Sequence, residues 1–300
     1  MVNLDLFEKE NPELFEILTG FAGEKIYYYP NQGNAGDSMI AAATYQIFAA
    51  MNITFEIITS PGKAAKLQNS KIVLGGGGNF VPMYGAIASF LKVLSGSSNQ
   101  VVLLSHSIRG HQEIIKGLRE NITLFCREND SVQYLERLGT SAHYYRSHDM
   151  AVYMDVDEVL TQWKDNNENI KSFEEKLLQK GIANLHHLAF ENMSCIRGGA
   201  ESTISIPKQN FDISDIFRSG VTPDLAFKST AEMLYFCYLA REITTNRMHI
   251  AVACGLMNTT CKMLDNSYGK LSSVYDVTLK RKFPSLSFEE ASRSTNRLMD

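Results

Sequence analysis

The chain has 300 residues, of which 44% are hydrophobic and 21% are charged, and this composition excludes a disordered chain or a coiled coil. Its 29 basic and 33 acidic residues give a net charge of −4, so a generally basic nucleic-acid-binding surface is also excluded. Because a single core rarely grows beyond about 250–300 residues, this length predicts two domains.

Short apolar runs alternate with helical patterns along the first half of the chain. Strands are predicted at residues 25–29, 55–59, 71–74, 101–104 and 123–126. Helices are predicted at residues 38–50, 84–94, 111–119 and 130–138, and Gly139 is suited to end the last of them. Strands that alternate with helices are typical of a parallel, doubly wound sheet.

A polar stretch at residues 155–176 interrupts this alternation and predicts a crossover between two domains. Beyond it, strands are predicted at residues 194–197, 242–245 and 259–264, with helices at 230–240, 246–254 and 268–277. We therefore expect an α/β protein whose two Rossmann-like domains face a cleft. Their predicted bounds are residues 1–155 and 156–285, followed at 286–300 by a C-terminal helix that docks on the first domain.

The cysteines are odd in number, scattered and never spaced as a C-x-x-C pair, which argues against a disulfide framework and a structural zinc site. They are Cys126, Cys195, Cys237, Cys254 and Cys261. Such cysteines predict the reducing cytoplasm as the protein's location. Residues 72–91 carry no charge, but they include four consecutive glycines. We therefore do not expect them to form a transmembrane helix.

Ligands of open α/β sheets bind at the carboxyl ends of strands, where loops lead into helices. The loop after the first predicted strand contains three candidate binding residues, Asn34, Gly36 and Asp37. Glycine lets the backbone approach a ligand, and the start of the next helix offers unpaired N–H groups to an anion. The alternative interpretation is a turn in which Asp37 or Ser38 caps the helix.

The glycine run after the third predicted strand is a second candidate. Its proposed binding residues are Gly76, Gly77, Gly78 and Asn79. Phe80 takes the place of the third glycine of G-x-G-x-x-G, and the lysine of a phosphate-binding loop is missing, so a dinucleotide or Walker-type site is disfavoured. Consecutive glycines favour a backbone that passes close to a ligand or to the other domain.

Two more candidates, His106 and Arg127, follow the next two strands. His106 has a structural alternative as a hydrogen-bonded core histidine. The structural alternative for Arg127 is an ion pair with Glu128. In the second half, Arg247 and His249 lie at a strand-to-helix junction, where the helix N-terminus adds positive potential.

Arginine can bind a carboxylate or phosphate with two N–H donors, and histidine exchanges protons near neutral pH. Lys270 follows at a further strand-to-helix junction, and Arg197 follows the first strand of the second half. Three cations and a histidine on loops at one sheet edge predict an anionic ligand.

These elements, in this order, resemble the polysaccharide pyruvyl transferase family over roughly residues 27–277. The matching elements are Asn34-Ala35-Gly36-Asp37, the glycines up to Asn79, Arg127-Glu128 with Ser131, Leu135 and Gly139, and Arg247-Met248-His249 with Tyr268-Gly269-Lys270. The Arg-hydrophobic-His element that opens a helix is the most specific of them.

The resemblance implies a fold similar to GT-B glycosyltransferases, with phosphoenolpyruvate as donor and a sugar of a cell-surface polysaccharide or its lipid-linked precursor as acceptor. The product would be a pyruvate ketal on two hydroxyls of one sugar. His249 and Arg247 would be catalytic, and Arg127, Arg197 and Lys270 would bind the donor. The N-terminal domain would bind the acceptor and contribute part of the donor site.

Phosphoenolpyruvate carries a carboxylate and a phosphate, so Arg and Lys side chains suit it on chemical grounds as well. The expected reaction needs no metal and no cofactor beyond the donor. Peripheral association with a membrane through the acceptor stays open, as does a homo-oligomer.

Three alternatives compete with this interpretation. A GT-B nucleotide-sugar glycosyltransferase would share the fold and the cations, and Glu201 and Asp224 are the second-half acids near candidate strand ends. A non-catalytic carbohydrate-binding protein is favoured if Arg247 and His249 are buried in ion pairs. NAD-dependent oxidoreduction is disfavoured by the missing third glycine.

Overall fold

A computed structural model describes residues 1–198, 205–265 and 270–289, without the side chains of His187 and Lys270. The chain divides into two compact units. Unit 1 comprises Met1–Asp165 and Arg218–Ala231, and unit 2 comprises Asn166–Phe217 and Glu232–Asp300. The domain boundary predicted after residue 155 therefore falls inside unit 1.

Unit 1 contains a seven-stranded sheet in which every pair of strands is parallel. Its strands are β1 (Lys25–Tyr29), β2 (Thr54–Ile57), β3 (Lys71–Leu74), β4 (Gly77–Phe80), β5 (Gln100–Ile108), β6 (Ile122–Cys126) and β7 (His143–Arg146). The order is β2-β1-β3-β5-β6-β7, and β4 pairs with the later part of β5. The central strand β5 is buried from Val101 to its end, which places the core of this unit around it.

The helices of unit 1 connect these strands and cover the sheet. They are α1 (Leu4–Glu10), α2 (Pro12–Thr19), α3 (Ala35–Ala50), α4 (Pro61–Ala64), α5 (Ala86–Leu94), α6 (Gln112–Lys116), α7 (Asn129–Leu138) and α8 (Val156–Lys164). A 3₁₀ turn, Met150–Tyr153, precedes α8. Helix α7 ends at Gly139 in the left-handed conformation (φ 67°), as the sequence predicts.

Unit 2 contains a four-stranded, wholly parallel sheet in the order β11-β10-β9-β8. Its strands are β8 (Asn192–Cys195), β9 (Glu242–Thr245), β10 (Thr260–Leu264) and β11 (Leu286–Glu289). Its helices are α9 (Asn167–Gln179), α10 (Ile213–Ile216), α11 (Pro223–Leu239), α12 (Met248–Leu256), α13 (Lys270–Val274) and α14 (Lys280–Lys282). Helix α11 belongs to unit 1 up to Ala231 and to unit 2 from Glu232. Leu185–Ala189 forms a 3₁₀ turn and Tyr275–Leu279 a π-helical turn.

The α/β class with parallel sheets is confirmed, and several local predictions are corrected. The glycine run is not only a loop, because Gly77–Phe80 pairs with β5 as β4. The polar stretch predicted as a crossover contains α8 and most of α9.

The predicted C-terminal helix is wrong at its start, because Leu286–Glu289 forms strand β11 parallel to β10. Leu286 is buried and Phe288 half-buried, whereas the residues between and after them are exposed, and this alternation fits a strand. The rest of the predicted helix, residues 290–300, lies outside the described residues.

Candidate functional site

The carboxyl ends of β1 and β4 in unit 1 share a partly buried network of polar side chains. Asn31 follows β1 and is 3% exposed. Its Nδ2 donates to Asn79 Oδ1 (3.1 Å) and to Asp37 Oδ1 (3.2 Å), while Asn79 Nδ2 donates to Asn31 Oδ1 (2.7 Å). Asn31 and Asn79 thus form a reciprocal amide pair that is joined to the Asp37 carboxylate.

His106 on β5 joins the same network. Its Nε2 lies 3.0 Å from Asn79 Oδ1, and its side chain is fully buried. Because a carbonyl oxygen only accepts, the His106 ring donates from Nε2. His106 therefore donates to Asn79, Asn79 donates to Asn31, and Asn31 donates to Asp37. The Asp37 carboxylate is the acceptor at the end of this series.

The glycines that precede Asn79 make room for this network. A Cβ at Gly77 would lie 2.5 Å from Asn31 Nδ2, and φ at Gly77 is +152°. A Cβ at Gly76 would lie 2.8 Å from the carbonyl oxygen of Ser105. Gly78 follows within β4. The close backbone approach predicted for this run is thus made to the chain's own residues in unit 1.

Residues 34–37 form a capping box at the start of α3. Asn34 Oδ1 accepts from the Gly36 backbone N–H (2.8 Å), and Asp37 Oδ2 accepts from the Asn34 backbone N–H (3.0 Å). The helix cap is therefore Asn34, and the alternative that named Asp37 or Ser38 as the cap is wrong. The three predicted binding residues share a structural role at this helix end.

Arg127 lies directly after β6 and is only 2% exposed. Its Nη1 donates to Asp149 Oδ2 and its Nε to Ser107 Oγ, both at 2.9 Å. Glu128 accepts instead from Ser107, Ser131 and Arg109, so the alternative of an Arg127–Glu128 pair is wrong. The guanidinium of Arg127 is held inside unit 1 by partners at two of its nitrogens.

The carboxyl ends of β8 and β9 in unit 2 form the second polar region. Thr245 Oγ1 donates to the Cys195 carbonyl oxygen (2.7 Å) and accepts from the Arg247 backbone N–H (3.0 Å). The Arg197 backbone N–H donates to Asn246 Oδ1 (2.7 Å), and Asn246 Nδ2 donates back to the Arg197 carbonyl oxygen (3.3 Å). These contacts bring the backbones of Arg197 and Arg247 to one edge of the sheet.

Arg247 is the N-cap residue of α12, and its side chain is paired at one nitrogen among the described residues. Nη2 donates to Asp212 Oδ2, and also to Asp215 Oδ2 at 3.1 Å. Arg247 is 9% exposed, and its buried Nε has no hydrogen-bond partner among the described residues. A buried donor without a partner is uncommon in proteins, and a water, an ion or a ligand can satisfy it.

Asp212 stands at the N-cap position of α10, yet its side chain does not cap that helix. Its carboxylate binds Arg247 instead, and its Oδ1 is buried with no partner among the described residues. Burial raises the pKa of Asp212, Arg247 opposes that rise, and the nearby Asp215 carboxylate adds to it. The acidic side of this ion pair is therefore held in an environment that disfavours its charge.

The other predicted cations and the histidine are placed as follows. His249 is the second residue of α12 and is half-buried. Lys270 begins α13, and its side chain is not described. Tyr268, Gly269 and Glu201 lie outside the described residues. Asp224 lies in the first turn of α11.

With this geometry established, comparison with known proteins assigns the family. The family model for polysaccharide pyruvyl transferases matches residues 34–268, a span that begins at Asn34 and includes Arg247 and His249. The chain belongs to the polysaccharide pyruvyl transferase family. The proteins of this family are transferases, and the family indicates a role in pyruvyl transfer to polysaccharide.

A structural likeness accompanies the family assignment. No curated protein matches the chain in sequence. An uncharacterized protein from Klebsiella pneumoniae has a similar crystal structure, with a TM-score of 0.72 and 24% identity over 97% of this chain and 100% of that chain. At this identity the likeness extends to the fold alone.

In this chain, the sequence patterns did not identify the residues that bind the predicted site residues. Asp212 and Asp215, which bind Arg247, and Asn31, which links Asn79 to Asp37, were not predicted site residues. The pairing of Arg247 with Asp212 is the contact that the non-catalytic alternative predicts, whereas the unpartnered Nε is a property of a ligand site. The sequence contained no spacing signal for Asp212, which is 35 positions away from Arg247.

The described residues contain no group of three or more His, Cys, Asp or Glu side chains that could hold a metal ion. In the same residues, no helix combines the length and the apolar character that are needed to cross a membrane.

Proposed function

We propose that this pyruvyl transferase takes the pyruvyl group from phosphoenolpyruvate and joins it to two hydroxyls of one sugar as a ketal. The acceptor is a sugar of a cell-surface polysaccharide or of its lipid-linked precursor. The observation that supports this proposal is the buried, unpartnered Nε of Arg247 at the start of α12.

Phosphoenolpyruvate offers two oxyanion groups on a three-carbon core. An arginine binds either group with parallel N–H donors, and such charge-assisted bonds are stronger than neutral ones. The N-terminus of α12, a helix of nine residues, adds positive potential next to Arg247. Arg197 at the same sheet edge and Lys270 are proposed as further donor-binding cations.

His249 is proposed as the general acid and base, because imidazole exchanges protons near neutral pH. In the first step, one sugar hydroxyl oxygen bonds to C2 of the donor, its proton leaves, and C3 gains a proton. In the second step, another hydroxyl of the same sugar gives its proton to the general base as its oxygen bonds to C2, while the bond from C2 to the phosphate oxygen breaks and inorganic phosphate leaves. Neither step calls for a metal or an organic cofactor.

Two further assignments complete the proposal. The amide pair of Asn31 and Asn79, with His106 and Asp37, is proposed for the acceptor side, since amides and carboxylates bind sugar hydroxyls. Arg127 is no longer proposed for the donor, because Asp149 and Ser107 occupy two of its nitrogens. The reaction is proposed for the cytoplasm, where free buried cysteines are stable.

Calorimetric titration with phosphoenolpyruvate tests the donor assignment. The wild-type chain is expected to bind, and Arg247→Ala is expected to lose about tenfold or more in affinity. Arg241→Ala is the matched control, because Arg241 is an exposed arginine of the same unit. Equal binding by wild type and Arg247→Ala contradicts the assignment, and binding of UDP in place of phosphoenolpyruvate favours the glycosyltransferase alternative.

Turnover with an acceptor tests His249 separately. His249→Ala is expected to keep donor binding and to lower the rate of phosphate release by about 10²–10⁴-fold. Near-normal turnover in this variant contradicts the acid–base role.

A further inference from the structure

The two carboxylates at Arg247 crowd a single nitrogen. Nη2 carries two hydrogens, and Asp212 and Asp215 both accept from it. The Nε hydrogen and one Nη2 hydrogen point to the same side of the guanidinium and form an edge that binds oxyanions bidentately. While both Nη2 hydrogens are bound to carboxylates, this edge cannot donate two hydrogen bonds to a ligand.

The two carboxylates are not held equally. The segment before Asp212 is tied to the end of β8, because the Phe211 N–H donates to the Ser194 carbonyl oxygen (2.7 Å). Asn210 also bonds both the N–H and the carbonyl oxygen of Ile196 at 2.8 Å. The Asp212 side chain is 19% exposed, so the fold fixes it beside Arg247.

Asp215 is the loosely held member of the pair. It lies on α10, a helix of only four residues, and its side chain is 61% exposed. Its contact with Nη2 is 3.1 Å long, and an exposed ion pair of this kind contributes little. Its charge also adds to the rise in the pKa of Asp212, so the two carboxylates repel each other.

We propose that Asp215 occupies the place of a donor oxyanion on Arg247 and that the donor displaces it. The donor oxyanion then takes the freed Nη2 hydrogen together with the unpartnered Nε, while Asp212 stays bound and keeps the guanidinium oriented. Asp215 is thus a built-in competitor of the donor, and Asp212 is a positioning residue. This inference rests on the proposed donor site at Arg247.

The test compares phosphoenolpyruvate binding and turnover across single variants. Asp215→Ala and Asp215→Asn are expected to bind the donor about two- to fivefold more tightly than the wild type, because an exposed ion pair no longer competes. The KM for the donor should fall with them, and kcat should not rise. Asp212→Asn is expected to weaken donor binding and to raise KM. The gain from Asp215→Ala should vanish in an Arg247→Ala background.

Asp276→Asn is the matched control, since it removes the same charge from an exposed position of unit 2. If Asp276→Asn increases donor affinity equally, the effect comes from the net charge of the chain, and the inference is overturned. Donor binding that depends on Arg247 but is unchanged or weakened by Asp215→Ala overturns the inference alone. Binding that does not depend on Arg247, or no binding of either phosphoenolpyruvate or inorganic phosphate, overturns both the inference and the proposed function.

Discussion

Arg127 in unit 1 and Arg247 in unit 2 stand at equivalent positions of their sheets. Each follows the end of a parallel strand and precedes a helix, and they are 2% and 9% exposed respectively. Arg127 has partners at two nitrogens, Asp149 and Ser107. Arg247 has two carboxylates at one nitrogen and none of the described residues at Nε.

This difference is the ground on which Arg247, and not Arg127, is proposed as a donor-binding residue. Burial and position in the fold do not distinguish the two side chains, whereas the pairing of each nitrogen does. Leaving a buried donor unpaired costs about 1–3 kcal/mol, a cost that a bound water, ion or ligand at Arg247 Nε would remove. We therefore expect the loss of Arg127 to lower stability more, and the loss of Arg247 to lower donor binding more.

The largest effect is expected from Arg127→Met. It leaves the Asp149 carboxylate buried without its cation, which should lower the free energy of unfolding of unit 1 by about 3–5 kcal/mol. Denaturant unfolding followed by the fluorescence of Trp163, the single tryptophan and a residue of unit 1, measures this loss. Asp149→Asn in the same background should recover part of it. A loss below about 1 kcal/mol would show that the Arg127 pair is not structural.

A smaller effect is expected from Gly77→Ala in the amide network of unit 1. The new Cβ would meet Asn31 Nδ2 at 2.5 Å in a backbone conformation that alanine disfavours. We expect a loss of about 1–3 kcal/mol, read from the same fluorescence. Gly62→Ala is the control, because nothing lies within 4 Å of its added Cβ. Equal stability of both variants would mean that the network adapts to the methyl group.

Arg247→Met should cost unit 2 less, about 1–2 kcal/mol, and the loss should depend on pH. Arg247 opposes the rise in the pKa of Asp212, so its removal raises that pKa further. Well below the ordinary aspartate pKa of about 3.9, the Asp212 carboxyl is protonated in the folded and the unfolded chain, and little is lost. As the pH rises toward 7, the folded wild type releases this proton at lower pH than the folded variant does, so the variant's deficit grows.

Thermal unfolding of wild type and Arg247→Met between about pH 4 and pH 7 measures this deficit. The double variant with Asp212→Asn should show no added pH dependence. A deficit that shrinks with rising pH contradicts the assigned direction.

The sequence predicted those strands that are rich in β-branched or aromatic residues. The bounds predicted for β1, β3 and β9 are those observed. Strand β4 was missed because Gly77 and Gly78 have no side chains to show a pattern, and its extended form comes from pairing with β5. The edge strand β7 was missed because most of its side chains are exposed.

At the candidate site, too, local sequence patterns do not show contacts with distant residues. The junction between β9 and α12 identified Arg247 and His249, since a cation before a helix is a local pattern. The partners of Arg247 come from a distant loop, and only the folded chain brings Asp212 beside it. Whether an arginine is satisfied or open to a ligand therefore could not be predicted from local sequence.

The smallest expected effect is on the reactivity of the cysteine thiols. Because both units contain cysteines, their reactivity allows the two units to be compared directly. Four of the five free cysteines, Cys195, Cys237, Cys254 and Cys261, belong to unit 2, and Cys126 belongs to unit 1; all are buried. Burial raises the thiol pKa of Cys126, Cys195 and Cys254, so little thiolate is present near neutral pH. The native chain should hardly react with iodoacetamide.

Labelling at increasing denaturant, followed by mass spectrometry, then shows which unit opens first. In the wild type, the label on Cys126 should appear together with the change in Trp163 fluorescence, because both residues belong to unit 1. Arg127→Met should shift the labelling of Cys126 to lower denaturant and leave the four thiols of unit 2 less affected. Arg247→Met should do the reverse. If all five thiols react together in every variant, the two units unfold as one, and the comparison between the two arginines holds for binding but not for local stability.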